Sequence, residues 1–465
     1  MKKANLFLIW IFSISVIATS CREDIVKDSG GEKTGKLARM NIADAKLLFI
    51  TSGESGVKLY GVKNSSLLKS TSEMSDEIYE IEYLDENGKP VEDKIPRSIY
   101  DAGDFLIVFF REVDGWVVAE EAYFVRKADG AVYEVPNEYI PSSDGYNELI
   151  FNSNVNRQGF KYPGNGDFLN ISFDGNDNFY YTAIRCLSSG ECPHILYRVS
   201  SISNSGIDFR QVSAENETVW GFCMDDAGNS IYCRAGGEWL RYVSADGNMG
   251  EPIPVITRTG WDAPVSVYRF VWNGTDGIMA LLAVWGEYDS EGWYNAYPEN
   301  RHYLMKLKNG QFEKTREISL DFSRNFPSSY NVFYVQGKVI YSHYSGSSTI
   351  LVDISGENSY REIPCPVGAN IVINGKLYNF DENTFSLTHI NIDNGTATPV
   401  FALNKSVLND YVISCIMDVT ESSITFGAYR LSDKMNVVAK IGLDNVPVIL
   451  QSNSGEVSLV APLNP

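Results

Sequence analysis

Apolar residues recur along this chain in short runs, separated by polar turns rich in Gly, Asn and Asp, and the runs come in a repeating order. The clearest copy reads ANIVI, the turn Asn374-Gly375, KLYNF, LTHINI, the turn Asp393-Asn394-Gly395, and TPVFAL. Both turns carry the Asn-Gly signature of a tight β-hairpin. The same unit can be followed through the chain by its second strand, which begins at Leu47, Phe105, Phe179, Ile231, Ile278, Val339, Leu377 and Ile424. Turns precede that strand at 101–104, 175–178, 226–229, 274–277 and 336–337. The third and fourth strands follow the same scheme: AYFV turns at Asp129-Gly130 into VYEV, LRYV at Asp246-Gly247 into PVI, and YLMKL turns at Asn309-Gly310.

Four antiparallel strands per repeat with almost no helical periodicity predict an all-β fold, a β-propeller whose blades surround a common axis. Eight copies of the unit can be placed, which predicts eight blades, with seven as the runner-up because the spacing after Leu47 and Phe105 is long. A propeller escapes the exposed-edge problem only if its ring closes. The segment EVSLVAP, 456–462, reads as a strand without a partner in the last unit, and the first unit lacks an innermost strand. The C-terminal strand is therefore expected to complete the first blade. A pair of β-sandwiches or a β-solenoid is the competing architecture.

The beginning of the chain changes the picture of where this domain works. Lys2 and Lys3 precede an apolar run from Leu6 to Ile17, and Ala18, Thr19 and Ser20 then lead to Cys21. That is the order of an export signal, and the run is too short for a transmembrane helix. Ala18-Thr19-Ser20-Cys21 resembles a bacterial lipobox, in the relaxed form that Bacteroidetes lipoproteins accept, with Ala18 where Leu is usual. The resemblance implies that residues 1–20 are removed and that Cys21 is lipidated. Arg22-Glu23-Asp24 is similar to the short acidic signals that send such lipoproteins to the outer cell surface. Taken with the repeats, the chain resembles a Bacteroidetes-type lipoprotein with a propeller domain. The resemblance carries no site residues.

Residues 21–44 read as the lipidated cysteine and a flexible tether, too poor in apolar side chains to order themselves, and 45–465 as a single propeller domain. Gly30, Gly35 and Lys36 sketch a phosphate loop, but Leu37 stands where Ser or Thr is needed. The formal charge of −20 argues against nucleic acid and anionic headgroups as partners.

Six of the seven cysteines follow Cys21, in a compartment that permits disulfides. Cys223 and Cys233 flank the turn at Ala227-Gly228, and Cys186 and Cys192 flank the turn at 188–190, so each pair is expected to be bridged across a hairpin. Cys365 and Cys415 belong to separated units and are expected to be buried thiols.

Candidate chemistry is sparse. His194, His302, His343 and His389 are scattered over four units without metal-ligand spacing, and no Gly-x-Ser-x-Gly elbow occurs. Asp174-Gly175-Asn176-Asp177-Asn178 has calcium-like oxygen density but sits in a repeat turn, where these residues serve the backbone. No metal or cofactor is predicted. The feature above background is an insertion in the fifth unit between Ala283 and His302, carrying Trp285, Tyr288, Trp293, Tyr294, Tyr297 and Arg301 among carboxylates. Aromatic side chains on an exposed loop lose little entropy on binding and offer flat contact area, which suits sugar rings. The competing reading packs the same rings along the outer edge of a blade.

These observations predict a lipid-anchored envelope protein, attached to the bacterial outer membrane through Cys21 and periplasmic or surface-exposed. Its expected partner is a glycan or a protein held by the aromatic insertion. The alternatives are a hydrolase or lyase acting on an extracellular polysaccharide with carboxylates at the channel mouth, and a structural component of an envelope complex.

Overall fold

The computed structural model describes residues 36–462 apart from 54–55, 64–77, 92–93, 115–116, 142–170, 186, 188, 235–238, 255–266, 275–276, 289, 292, 319–331, 336–337, 343–347, 354–359, 365–368, 374, 382–383 and 454–455. Cys21, Cys186, His343 and Cys365 thus lie outside the described residues, as does the expected signal segment.

Among the described residues the chain forms eight four-stranded antiparallel sheets. We number them by the position of their second strands, which begin at Ala45, Phe105, Phe179, Ser230, Gly277, Lys338, Lys376 and Ser423. Each lies within two residues of the start expected from the repeat. In sheets II to VIII the four strands follow one another in sequence and in space. Sheet I differs: its strands Ala45–Gly53, Gly56–Lys63 and Ile78–Glu80 are preceded in space by Glu456–Pro462 from the far end of the chain. Phe49 faces Leu459 and Ser52 faces Glu456 in that pairing.

The apolar runs are continuous because most sheets are covered on both faces, the situation in which strands read as unbroken hydrophobic stretches. Leu106, Val108 and Phe110 of sheet II pack with Leu48 and Ile50 of sheet I. The alternate residues Ile107 and Phe109 pack with Phe179 and Tyr181 of sheet III. Tyr180 then meets Phe222 and Tyr232 of sheet IV, whose Ile231 packs with Ile278 and Ala280 of sheet V. Sheets VII and VIII share the cluster around Phe380, Phe426 and Val437. Leu47 and Phe49 of sheet I join Val438 of sheet VIII. Each large side chain withdrawn from water in this way contributes about 1.5–3 kcal/mol. First strands also meet: Glu456–Pro462 touches Tyr411–Val419 of sheet VIII and Ile95–Ala102 of sheet II.

The turns explain why Asp, Asn and Gly mark the repeat. In Asp85–Lys89, Asp174–Asn178, Asp225–Asn229 and Ser244–Asn248, the first residue's N–H donates to the carbonyl of the fifth. The first side chain accepts the fifth residue's N–H. The fourth position takes positive φ: Gly88, Gly228 and Gly247 there, and Asp177 at 64°. Gly permits this conformation without steric cost, and Asp tolerates it better than most residues.

Two expectations are corrected. The stretch read as tether to residue 44 contains a strand, Leu37–Met40, paired with Tyr83–Asp85. Leu37, Met40 and Ile42 are buried in the core shared by sheets I and II, so three apolar residues among polar ones suffice where a neighbouring surface is ready to receive them. Met40 N–H donates to the carbonyl of Gly130 at 2.9 Å, which ties this strand to the outer turn of sheet II.

The Cys223–Cys233 disulfide is also absent: both are buried thiols. The turn centres on Ala227, so Cys223 faces Ile231 while Cys233 faces Gly221. The two cysteines are diagonal neighbours, about 7–8 Å apart, beyond the backbone separation a disulfide usually spans.

Candidate functional site: an aromatic hairpin

The insertion of the fifth unit is a hairpin rather than a loop. Gly277–Tyr288 and Tyr294–Lys308 are the longest pair of strands among the described residues. Among the described residues, pairing with the first strand of sheet V runs to Val267 opposite Ala283, and pairing with the fourth runs to His302 opposite Ile318. The ladder of the two central strands nonetheless continues through Val284 opposite Arg301, Gly286 opposite Ala296 and Tyr288 opposite Tyr294. Among the described residues, 284–301 pair only with each other, as a two-stranded arm. Trp, Tyr and Val favour extended backbone, and that propensity overrides the loop expected from the aromatic content.

The arm places the predicted residues as follows. Tyr288 and Tyr294 form its last cross-strand pair. The register shifts between Val284 and Gly286, so that Tyr297, Pro298, Glu299 and Asn300 stand against Trp285 alone. Pro298 has no N–H for the ladder, which accounts for a bulge at this position. Arg301 lies on the sheet side of the bulge, away from the Tyr288–Tyr294 pair. Trp293 immediately precedes the second strand of the arm and is 70 % exposed, the largest exposure among the large apolar side chains described. Glu291 and Asn295 beside it are exposed too.

Elsewhere several carboxylates are engaged in holding the fold. Asp174 accepts the Asn176 N–H, the Asn178 side-chain amide and the Tyr180 hydroxyl, with Arg198 Nη2 at 3.5 Å. The 174–178 segment read as a turn is thus built around its own carboxylate. Asp101 accepts Lys127 Nζ at 2.7 Å and the Gly103 N–H at 2.9 Å. Burial raises its pKa, and the Lys127 charge works in the opposite direction. Tyr378 donates to Glu421 between sheets VII and VIII, with Lys376 Nζ 3.7 Å from the same carboxylate and His389 ring to ring with Tyr378 at 5.1 Å. Among the described residues no group of three or more His, Cys, Asp or Glu is placed to hold a metal ion, and no helix is long and apolar enough to cross a membrane.

A second exposed apolar group escaped the sequence reading. Val412 and Tyr429 are cross-strand partners in sheet VIII, and with Leu431 they are exposed. In sequence they are ordinary strand residues; only their exposure among the described residues distinguishes them.

Small four-stranded sheets packed face to face, with neighbouring first strands in contact, define an all-β protein of the β-propeller type. No protein-family model matches the chain, and no curated protein matches it. Solved structures similar to it include virginiamycin B lyase from Staphylococcus aureus, at 11 % identity and TM-score 0.36, covering 78 % of this chain and 95 % of the lyase. Apo AztD from Citrobacter koseri is similar at 12 % identity and TM-score 0.35, covering 91 % and 98 %. The β-propeller domain of Cps50 (Swd1) from Myceliophteria thermophila is similar at 8 % identity and TM-score 0.37, covering 66 % and 93 %.

Proposed function

We propose that the chain is an eight-bladed propeller, held by lipid on Cys21 to the outer membrane of a bacterial envelope, that binds glycan through the arm of sheet V. The eight-blade reading is supported by the packing of sheet VIII on sheet I and by the pairing of Glu456–Pro462 with Ala45–Gly53. Lipid anchoring rests on the lipobox-like sequence before Cys21.

The observation that carries the binding reading is Trp293, highly exposed where the arm reverses, beyond the ladder of its own sheet. An exposed aromatic ring offers flat contact area and loses little conformational entropy on binding. The carboxylates described above are engaged by Tyr, Arg, Lys or backbone partners, which favours binding over hydrolysis or elimination.

The test is a glycan array with the soluble mature chain and the Trp293→Ala variant. Binding is expected to fall by about tenfold or more in the variant, the loss typical of a central aromatic contact. Unchanged binding would remove the arm as the contact surface. Release of shortened sugars during incubation would replace the reading with the polysaccharide hydrolase or lyase.

A further inference from the structure

The turn between the third and fourth strands of sheet VIII breaks the pattern of the others. It reads Gly442-Leu443-Asp444-Asn445-Val446-Pro447, with large aliphatic residues where the turns at Asp85–Lys89, Asp174–Asn178 and Ser244–Asn248 carry polar or small ones. Leu443 and Val446 are 57 % and 56 % exposed, and Val448, the second residue of the fourth strand, is 45 % exposed. The polar residues hold the turn in shape. Asn445 takes positive φ and its N–H donates to the Gly442 carbonyl at 3.0 Å. The Val446 N–H donates to Asp444 Oδ1 at 3.1 Å, and Asn445 Oδ1 accepts the Asn404 N–H, from beyond the last strand of sheet VII, at 2.7 Å. Aliphatic side chains held together in water at a tip mark a contact with another protein or with a membrane.

The topology says which end of the domain they occupy. In a four-stranded antiparallel sheet the first and third turns lie at one end and the second at the other. The turn of sheet VIII thus shares its end with the Asp129-Gly130 turn of sheet II, where Gly130 receives the Met40 N–H. Met249, 41 % exposed, lies beside the corresponding turn of sheet IV. Trp293 and Leu431 belong to second turns, at the other end. The start of the described chain decides what covers the sheet VIII turn. Lys36 is paired with Glu134 on the fourth strand of sheet II at 2.8 Å, and sheet VIII follows two places on through sheet I. The fifteen residues from Cys21 to Lys36 span at most about 54 Å in any conformation. A lipid on Cys21 therefore keeps the rim of sheet II near its membrane, with the turn of sheet VIII within reach of the same surface.

We propose that Leu443, Val446 and Val448 rest in the surface of the membrane that holds Cys21, so that this end of the domain faces the lipid and the sheet V arm faces away from it. The proposal rests on the lipid-anchoring reading of Cys21. The anchor makes the second contact intramolecular, so a weak contact is enough. The formal charge of −20 disfavours anionic headgroups, and the partner is a zwitterionic lipid surface entered by apolar side chains.

The experiment is hydrogen exchange read by mass spectrometry, on the full lipidated chain in phosphatidylcholine vesicles and on the soluble Cys21→Ser chain without them, with flotation of the vesicles reporting the anchoring separately. The wild-type chain is expected to float and Cys21→Ser to stay behind. Amides of 443–448 should exchange about tenfold more slowly on the vesicles, the factor that partial burial of two aliphatic side chains supplies, while those of 289–293 exchange equally in both. Leu443→Ser with Val446→Ser should still float and melt as the wild type does, but lose the slowing. Unchanged exchange at 443–448 in a floating wild-type chain rejects the contact without any variant and leaves the anchoring reading in place. A wild-type chain that does not float overturns both. Slowing at 289–293 or 429–431 in place of 443–448 puts the opposite end on the membrane and rejects the proposal. So does slowing confined to vesicles containing phosphatidylglycerol, which makes the contact electrostatic, and slowing lost on diluting the protein over more vesicles, which assigns the turn to a second copy of the chain.

Discussion

The Tyr232 hydroxyl donates to Glu217 at 2.6 Å, and the same carboxylate accepts Arg241 Nη2 at 2.8 Å. Tyr232 and Arg241 are cross-strand partners in sheet IV. Sheet III repeats the arrangement with Tyr180 and Arg198 as cross-strand partners and Asp174 as the carboxylate. Glu217 and Arg241 are largely withdrawn from water, so removing one charge strands the other. Glu217→Gln should lower the unfolding free energy by about 3 kcal/mol, read as a lower urea midpoint. Replacing both partners, Glu217→Leu with Arg241→Met, should recover most of the loss. A double variant as unstable as the single one would mean that the ion pair itself, rather than the uncompensated charge, sets the effect.

The two thiols of sheet IV make alkaline stability a probe of the core. Burial pushes the Cys233 thiol up to about 12, from an ordinary value of 9.0, and raises that of Cys223, with Asp225 adding to it. The folded chain therefore keeps protons that the unfolded chain releases above pH 9. Stability is full below that pH and falls as pH rises towards 12, by about 1.4 kcal/mol per pH unit for each thiol. Buried tyrosines add to the slope in the same direction, so the informative quantity is the difference between the wild-type chain and Cys223→Ala. The variant should show a shallower fall between pH 9 and 11. Parallel curves would mean that Cys223 ionises freely in the folded protein.

What was legible in sequence was whatever period and turn chemistry dictate. Asn374-Gly375, Asp129-Gly130 and the Asp174–Asn178 segment mark chain reversals because the backbone there needs positive φ or a side chain that bonds its own main chain. The second strands followed from those marks. Register was less legible: symmetry about Ala227-Gly228 put Cys223 opposite Cys233, whereas centring on Ala227 moves the partner to Ile231. Burial of Leu37 and Met40 could not be read locally, since the surface that covers them comes from sheets I and II. The arm of sheet V was found by its composition but given the wrong backbone, because Trp and Tyr mark exposed loops and strands alike.

The remaining expected pair is Cys186 with Cys192. Arg185 N–H donates to Pro193 carbonyl at 3.0 Å and Leu187 N–H to Glu191 carbonyl at 2.8 Å. In sequence Cys186 lies between Arg185 and Leu187, and Cys192 between Glu191 and Pro193, so each cysteine is flanked by these hydrogen-bonded residues. Peptide mapping without reductant should recover Cys186 and Cys192 in one linked fragment. Loss of the bridge through Cys186→Ala should cost about 2 kcal/mol, as expected for so short a loop. Alkylation of both cysteines in the unreduced, unfolded chain would show that no bridge forms.

The pairing of Phe49 with Leu459 makes the two ends of the domain depend on each other. Deleting 456–465 removes the first strand of sheet I, leaves Leu47–Ser52 with an unpaired edge, and uncovers the junction with sheet VIII where Leu47, Phe49 and Val438 meet. An open apolar edge templates association with other chains. The truncated chain should melt at a markedly lower temperature and elute as larger species than the intact one. A synthetic peptide spanning 454–465, added during refolding, should restore both properties in a concentration-dependent way, because it binds only the folded edge. If the truncated chain melts and elutes like the intact protein, the last strand contributes nothing to closure, and sheet I must be completed in another way.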